Sequence, residues 1–129
     1  MNEIHLRVPA QAEFVGLVRS TTNSVIARTE LGVDELEDWA LCVGEAFNLV
    51  INHQPSSGSV AVEFLLQSGG VQIEITGPAG ASLESVNNSD IATQLAWTLL
   101  REVSDEVATS LSADGAITLT LKSRVVASA

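Results

Sequence analysis

Glu45, Asn48, Asn52 and His53 interrupt CVGEAFNLVINHQP, a stretch from Cys42 to Pro55 that is otherwise apolar enough for a buried helix. A carboxylate, two amides and an imidazole are groups that move protons, meet cations or orient a substrate. Residues three and four apart lie together on a helix surface, so a helix here would gather most of them in one stripe. The competing reading is ordinary surface. On that reading Glu45 is a solvated or partner-facing acid, Asn48 and Asn52 line a shallow cleft, and His53 is a favourable charge near a helix end. Cys42 has no neighbour that would depress its pKa, and reads as a small buried hydrophobe.

The elements that must position the stripe follow from hydrophobic period. Ile4, Leu6 and Val8 alternate with His5 and Arg7 as in a half-buried strand ended by Pro9. From Gln11 the spacing turns helical, with Phe14, Leu17, Val18, Thr21 and Val25, and the pattern stops near Leu31 and Gly32. A second helix opens at VDELEDW, where Asp34 caps and Glu35, Glu37 and Asp38 suit the positive end of the dipole. Leu36, Trp39, Ala40, Val43, Phe47 and Val50 give it a wide apolar face, and Pro55 and SSGS end it. Two alternating runs follow, Val60 to Leu66 and Val71 to Ile75, joined by QSGG as a hairpin. After a loop from Thr76 to Ser89, Ser89 or Asp90 caps a third helix bearing Leu95, Leu99 and Val103. A strand near Val107 to Leu111, a turn at SADG and a strand with Ile117, Leu119 and Leu121 close the chain. The order β-α-α-β-β-α-β-β predicts an α+β two-layer sandwich, helices on one face of a mixed, largely antiparallel sheet. Without repeats, linkers or low-complexity tracts, residues 1–129 read as a single domain.

Composition narrows the partners. The chain has 129 residues, 46% hydrophobic and 17% charged, and sixteen acids against six bases give a net charge of −10. That field repels nucleic acid and anionic membranes and favours a basic protein. No apolar run is long enough to cross a bilayer and no cleavable leader is evident. One cysteine leaves no internal disulfide, so a cytoplasmic home is expected.

Element order and pattern resemble the histidine-kinase-like (GHKL) ATPase fold, in its short bacterial branch of anti-sigma-factor serine kinases. HLRVPAQAEFVGLVRSTTNSVIARTELGVDELEDWALCVGEA is similar to that branch's amino-terminal half, and LAWTLLREVSDEVATSLSADGAITLTLKSR to its closing helix and hairpin. The resemblance implies a protein that sequesters a sigma factor, and in many members uses ATP and Mg2+ to phosphorylate a serine on an anti-anti-sigma antagonist. It places Glu45 as the base for that transfer and His53 at the third position of the helix signature. Between them the family carries a metal-holding Asn where this chain has Leu49, which offers no oxygen. Asn48 lies one residue away, about 100° round the helix, and Asn52 has the same offset a turn later.

The resemblance also implies an Asp-x-Gly-x-Gly turn that holds adenine. Here VQIEITGPAG puts Ile75 or Thr76 at the Asp, according to how Gly77 and Gly80 align. Either leaves a deficit of roughly 1.5–3 kcal/mol against a charge-assisted hydrogen bond. A glycine-rich helix start that cradles phosphate is replaced by NNSDIATQL, with acidic Asp90 where the anion would approach. Arg101, Lys122 and Arg124 are the bases within reach. The expectation is therefore a kept fold with an eroded nucleotide site and no cofactor, acting as a homodimeric regulator that binds a sigma factor. The alternatives are a working serine kinase using Mg-ATP, and a dimerisation scaffold that binds no sigma factor.

Overall fold

The computed structural model describes residues 2–29, 31, 33–51, 58–67, 70–79 and 91–124, the side chains of Val33 and Arg124 excepted. Strand β1 spans Asn2–Pro9, helix α1 Val15–Ile26 after a short 3-10 turn, and helix α2 Val33–Ile51. Then come β2, Ser59–Gln67; β3, Gly70–Thr76; helix α3, Ile91–Val103; β4, Glu106–Leu111; and β5, Ile117–Arg124. The expected order is the order found.

The strands form one five-stranded sheet in the order β1-β2-β3-β5-β4. Every neighbouring pair is antiparallel, so the sheet is not mixed as the sequence suggested. The reason is β5, which returns between β3 and β4 and separates the two strands that α3 connects. Alternation sends Val62, Phe64, Ile73, Ile75, Leu119 and Leu121 to one face, where all are buried. One apolar row crosses the sheet from Ile4 through Phe64, Ile73 and Leu121 to Val107.

The helices cover that face, with α2 packed against both α1 and α3. Because α2 lies between two helices and above the sheet, Trp39, Cys42, Val43, Phe47, Leu49 and Val50 are all buried along it. Full burial of such side chains contributes about 1.5–3 kcal/mol each. Asp34 and Glu35 lie inside its first turn, so Asp34 is a dipole partner rather than the cap. Of the residues expected to end α2, Pro55 to Ser57 fall outside the described residues and Ser59 already opens β2; Ser89 and Asp90, expected to cap α3, also fall outside them.

Two apolar faces differ from expectation. Helix α1 ends at Ile26, short of Leu31, and buries Val18, Thr22, Val25 and Ile26. Leu17 is half exposed, and Thr21 spends its hydroxyl on the Leu17 carbonyl. Helix α3 buries Thr93, Ala96, Trp97 and Leu100, while Leu95 is 64% exposed. Of the residues expected to mark this helix Val103 packs against the core and Leu95 does not, because the inward face is built partly from small and polar-but-bonded side chains. Arg101 stacks over Trp97 at 5.5 Å from the ring centroid.

Cys42 is fully buried, and burial, reinforced by the Glu45 charge, pushes its thiol from 9.0 to about 12. The folded thiol therefore keeps a proton that the unfolded thiol gives up near 9, so stability present below that value is lost as pH rises toward 12. Urea titrations across this alkaline window will show Cys42→Ala losing less stability than the parent chain. At neutral pH a thiol reagent will label Cys42 only as fast as the protein opens.

Candidate functional site

Beyond its exposed first turns α2 is buried except at Leu41, Glu45 and Asn48, which continue a ridge begun by Asp34 and Asp38. Their spacing of three and four is that of a single helix face. Glu45 and Asn48 are thus brought together, half-buried, on the side of α2 turned away from the sheet. Leu49, one step round, is 2% exposed and belongs to the core. Asn52 and His53, which continue the stripe in sequence, lie outside the described residues.

The other expected cluster forms at the end of β3. Gly77 donates its N–H to the Ile117 carbonyl at 2.9 Å and sits against the last turn of α2. A Cβ there would lie 3.1 Å from the Val50 carbonyl oxygen and 3.2 Å from its Cβ. Glycine is what allows β3 to run this close to the helix. Alanine at 77 will cost about 1–3 kcal/mol, seen as a lower urea midpoint at unchanged slope.

Ile75, just before, is fully buried under the helices. Thr76 faces the opposite side of the sheet, and its hydroxyl shares a 2.9 Å hydrogen bond with that of Thr118. Thr76 and the Glu45–Asn48 pair are therefore on different sides of the sheet. Gly80 is outside the described residues. Of the bases within reach by sequence, Arg101 lies over Trp97 and Lys122 faces Glu106 at 3.8 Å.

Arg19 was not anticipated. Its side chain runs from α1 across Gly44, and a Cβ on residue 44 would fall 2.5 Å from its Nε. That Nε is buried and has no hydrogen-bond partner. The glycine immediately before Glu45 was the available signal: it marks where a neighbouring element comes close. A cleft of about 200 Å³ opens near the start of β3, lined by Gln72, Asp105, Glu106 and Lys122 among others. It lies about 20 Å along the strand from Gly77 at the usual rise per residue; Lys122 lines it, while Glu45, Asn48, Thr76 and Gly77 do not.

A Mg-nucleotide needs oxygen ligands for the metal, an acceptor for adenine and donors for phosphate. Among the described residues no three His, Cys, Asp or Glu side chains converge as a metal site. Leu49, where the resemblance expects the metal ligand, is in the core, Ile75 is buried, and the Thr76 hydroxyl shares a hydrogen bond with that of Thr118.

A family model for the histidine kinase-like ATPase domain matches residues 8–122. The chain belongs to the histidine kinase-like ATPase family. Relatives of this histidine kinase-like ATPase chain are serine-protein kinases, the branch its sequence resembles. It is 36% identical to the serine-protein kinase RsbW of Bacillus subtilis over 64 residues, 47% of this chain and 40% of the relative. It is 31% identical to RsbW of Bacillus pumilus over 90 residues, 63% of this chain and 56% of the relative. For RsbW of Halalkalibacterium halodurans the figures are 34% over 74 residues, 57% of this chain and 46% of the relative. The chain spans about half the length of the curated relatives it matches. No helix among the described residues is long and apolar enough to cross a membrane.

Proposed function

We propose that this histidine kinase-like ATPase chain works by capture rather than phosphoryl transfer. As a cytoplasmic homodimer, one domain per chain, it binds and sequesters a sigma factor. An anti-anti-sigma antagonist releases the sigma factor by competing for the same surface. The observation that carries this reading is Leu49, whose side chain is in the core where the family resemblance requires an oxygen ligand. Capture needs a shaped surface and complementary charge, and neither depends on a nucleotide pocket. The net charge of −10, with Asp34, Glu35, Glu37 and Asp38 exposed on α2, draws a basic partner.

A thermal-shift titration with ATP and Mg2+, checked by calorimetry, tests it. The expected result is no shift at millimolar nucleotide. A ligand at a hundred times its Kd would stabilise the fold by about 2.7 kcal/mol, and a shift of that kind overturns the capture-only reading. A pull-down then separates capture from scaffolding, since a scaffold retains no sigma factor.

The name of the curated relatives, serine-protein kinase, favours a second reading, an active kinase; the family resemblance makes it ATP-dependent and acting on an anti-anti-sigma factor. On it Glu45 is the base, Asn48 with Asn52 replaces the missing metal ligand, and His53, Thr76, Gly77 and Gly80 border the nucleotide. Mg2+-dependent stabilisation together with phosphate transfer to a serine of the antagonist would establish it.

A further inference from the structure

The turn that joins β4 to β5 contains Ser112, Ala113, Asp114 and Gly115. Of the nine glycines in the chain, Gly115 alone follows an aspartate, and none follows an asparagine. The turn calls for that glycine, whose φ of +86° lies in the left-handed region that side chains avoid. The same choice has a chemical consequence. With no Cβ beside it, the Gly115 nitrogen is the least shielded backbone nucleophile that could follow an Asp carboxyl.

Such a pair can react with itself. The Gly115 nitrogen attacks Asp114 Cγ, and the acid's OH departs with the nitrogen's hydrogen as water, closing a five-membered imide. Water then reopens the ring at one of its two carbonyls. Opening at Cγ restores aspartate. Opening at the Asp114 backbone carbon leaves isoaspartate, whose main chain runs through Cβ and Cγ. Composition is unchanged, and no oxidant, reductant or cofactor enters. Only the neutral acid loses its OH in this way, so a carboxylate must first take up a proton.

In the folded turn both reacting groups are held elsewhere. The Gly115 N–H donates to the Ser112 carbonyl at 3.0 Å. Asp114 Oδ1 accepts from the Ser112 hydroxyl, and from the Ala116 N–H at 3.2 Å. These bonds, that of Ser112 first, hold the Asp114 carboxyl below the usual carboxylate range. The same Ala116 N–H donates to Ser112 Oγ at 3.0 Å, which fixes that oxygen in the turn. Asp114 itself is exposed, so water has access to the ring.

We propose that Asp114–Gly115 is a site of spontaneous backbone isomerisation, and that the Ser112 side chain is the latch that keeps it closed in the folded protein. The isomer has one more backbone atom between β4 and β5, and its carboxylate no longer sits on Cβ where Ser112 and Ala116 bind it.

Incubating the full chain at neutral pH and physiological temperature, in water enriched in oxygen-18, tests this. Ring opening leaves a heavy oxygen in each product, so the peptide bearing Asp114 gains mass and separates into two chromatographic species as it reacts. The folded parent will react slowly, and the parent unfolded in urea severalfold faster. Ser112→Ala, shown to be folded by circular dichroism, will approach the unfolded rate, while Ser112→Thr keeps the hydroxyl and will stay with the parent. The parent's rate will also begin to climb at a lower pH than that of Ser112→Ala, because its bonded carboxyl takes up the proton later. A role in turn shape alone would not separate those two profiles. A folded Ser112→Ala that reacts no faster than the parent overturns the latch. Should that variant fail to fold, equal rates for the parent with and without urea overturn it instead. An unfolded parent that forms no isoaspartate at residue 114 overturns the site itself.

Discussion

Replacing Leu49 with asparagine will destabilise the fold by about 3–5 kcal/mol, and will not confer Mg2+-dependent nucleotide binding. The substitution restores the residue type that the family resemblance expects, so restored binding is the naive forecast. Position 49, however, points into the core beneath α2 and is 2% exposed. An amide there loses the leucine's apolar burial and strands polar atoms away from water. Those two losses set the magnitude, a large share of the 5–15 kcal/mol by which domains are stable. Urea unfolding gives the first number and a nucleotide titration of the folded fraction gives the second. Mg2+-dependent stabilisation of Leu49→Asn would mean that α2 can turn in its seat, and Asn48 would then be the first residue to re-examine.

Truncating Trp39 to alanine will cost about 3–5 kcal/mol. Trp39 belongs to the apolar face expected of α2, and its burial within one chain places it in the core. It anchors the start of α2, just after the exposed acidic turn, so its loss loosens the helix that carries Glu45. A chain near the lower end of typical stability would be largely unfolded at physiological temperature. Circular dichroism melts of the variant, with Glu37→Ala as a surface control expected within about 0.5 kcal/mol, measure the difference. A Trp39→Ala cost as small as the control's would show that the site collapses without leaving a void.

Strand positions were legible because alternation is strict: Val60, Val62 and Phe64, or Val71, Ile73 and Ile75, admit one register only. Helix existence was legible for the same reason, but helix facing was not. In α3 the sequence offers Leu95, Leu99 and Val103 on one stripe and Thr93, Ala96, Trp97 and Leu100 on another. Only the neighbouring α2 and the sheet decide which turns inward. Thr93 and Thr22 are buried, which hydropathy alone does not anticipate; the Thr22 hydroxyl is satisfied within its own helix. The ridge of Glu45 and Asn48 was visible as a spacing. That Leu49 is core and Thr76 faces the far side of the sheet depended on how α2 is rotated and on strand parity. The contact of Arg19 with Gly44 is tertiary, and a lone glycine in a helix announces only that something comes close.

The position of β5 governs when the molecule can finish. The ribosome delivers β1, α1, α2, β2 and β3 first, and these can collapse as a unit, since β1 finds its partner in β2 and β2 in β3. Strand β4 then emerges with no partner beside it, and β3 keeps an unpaired side, until residues 117–124 arrive and slot between them. The final step of folding is therefore an insertion into a waiting gap, not an addition at a margin. During that interval the nascent chain exposes two hydrogen-bonding rims at once. Its vulnerability to misassembly is concentrated in the interval before β5 arrives, and the speed of the closing hairpin at Ser112–Gly115 sets how long that window lasts.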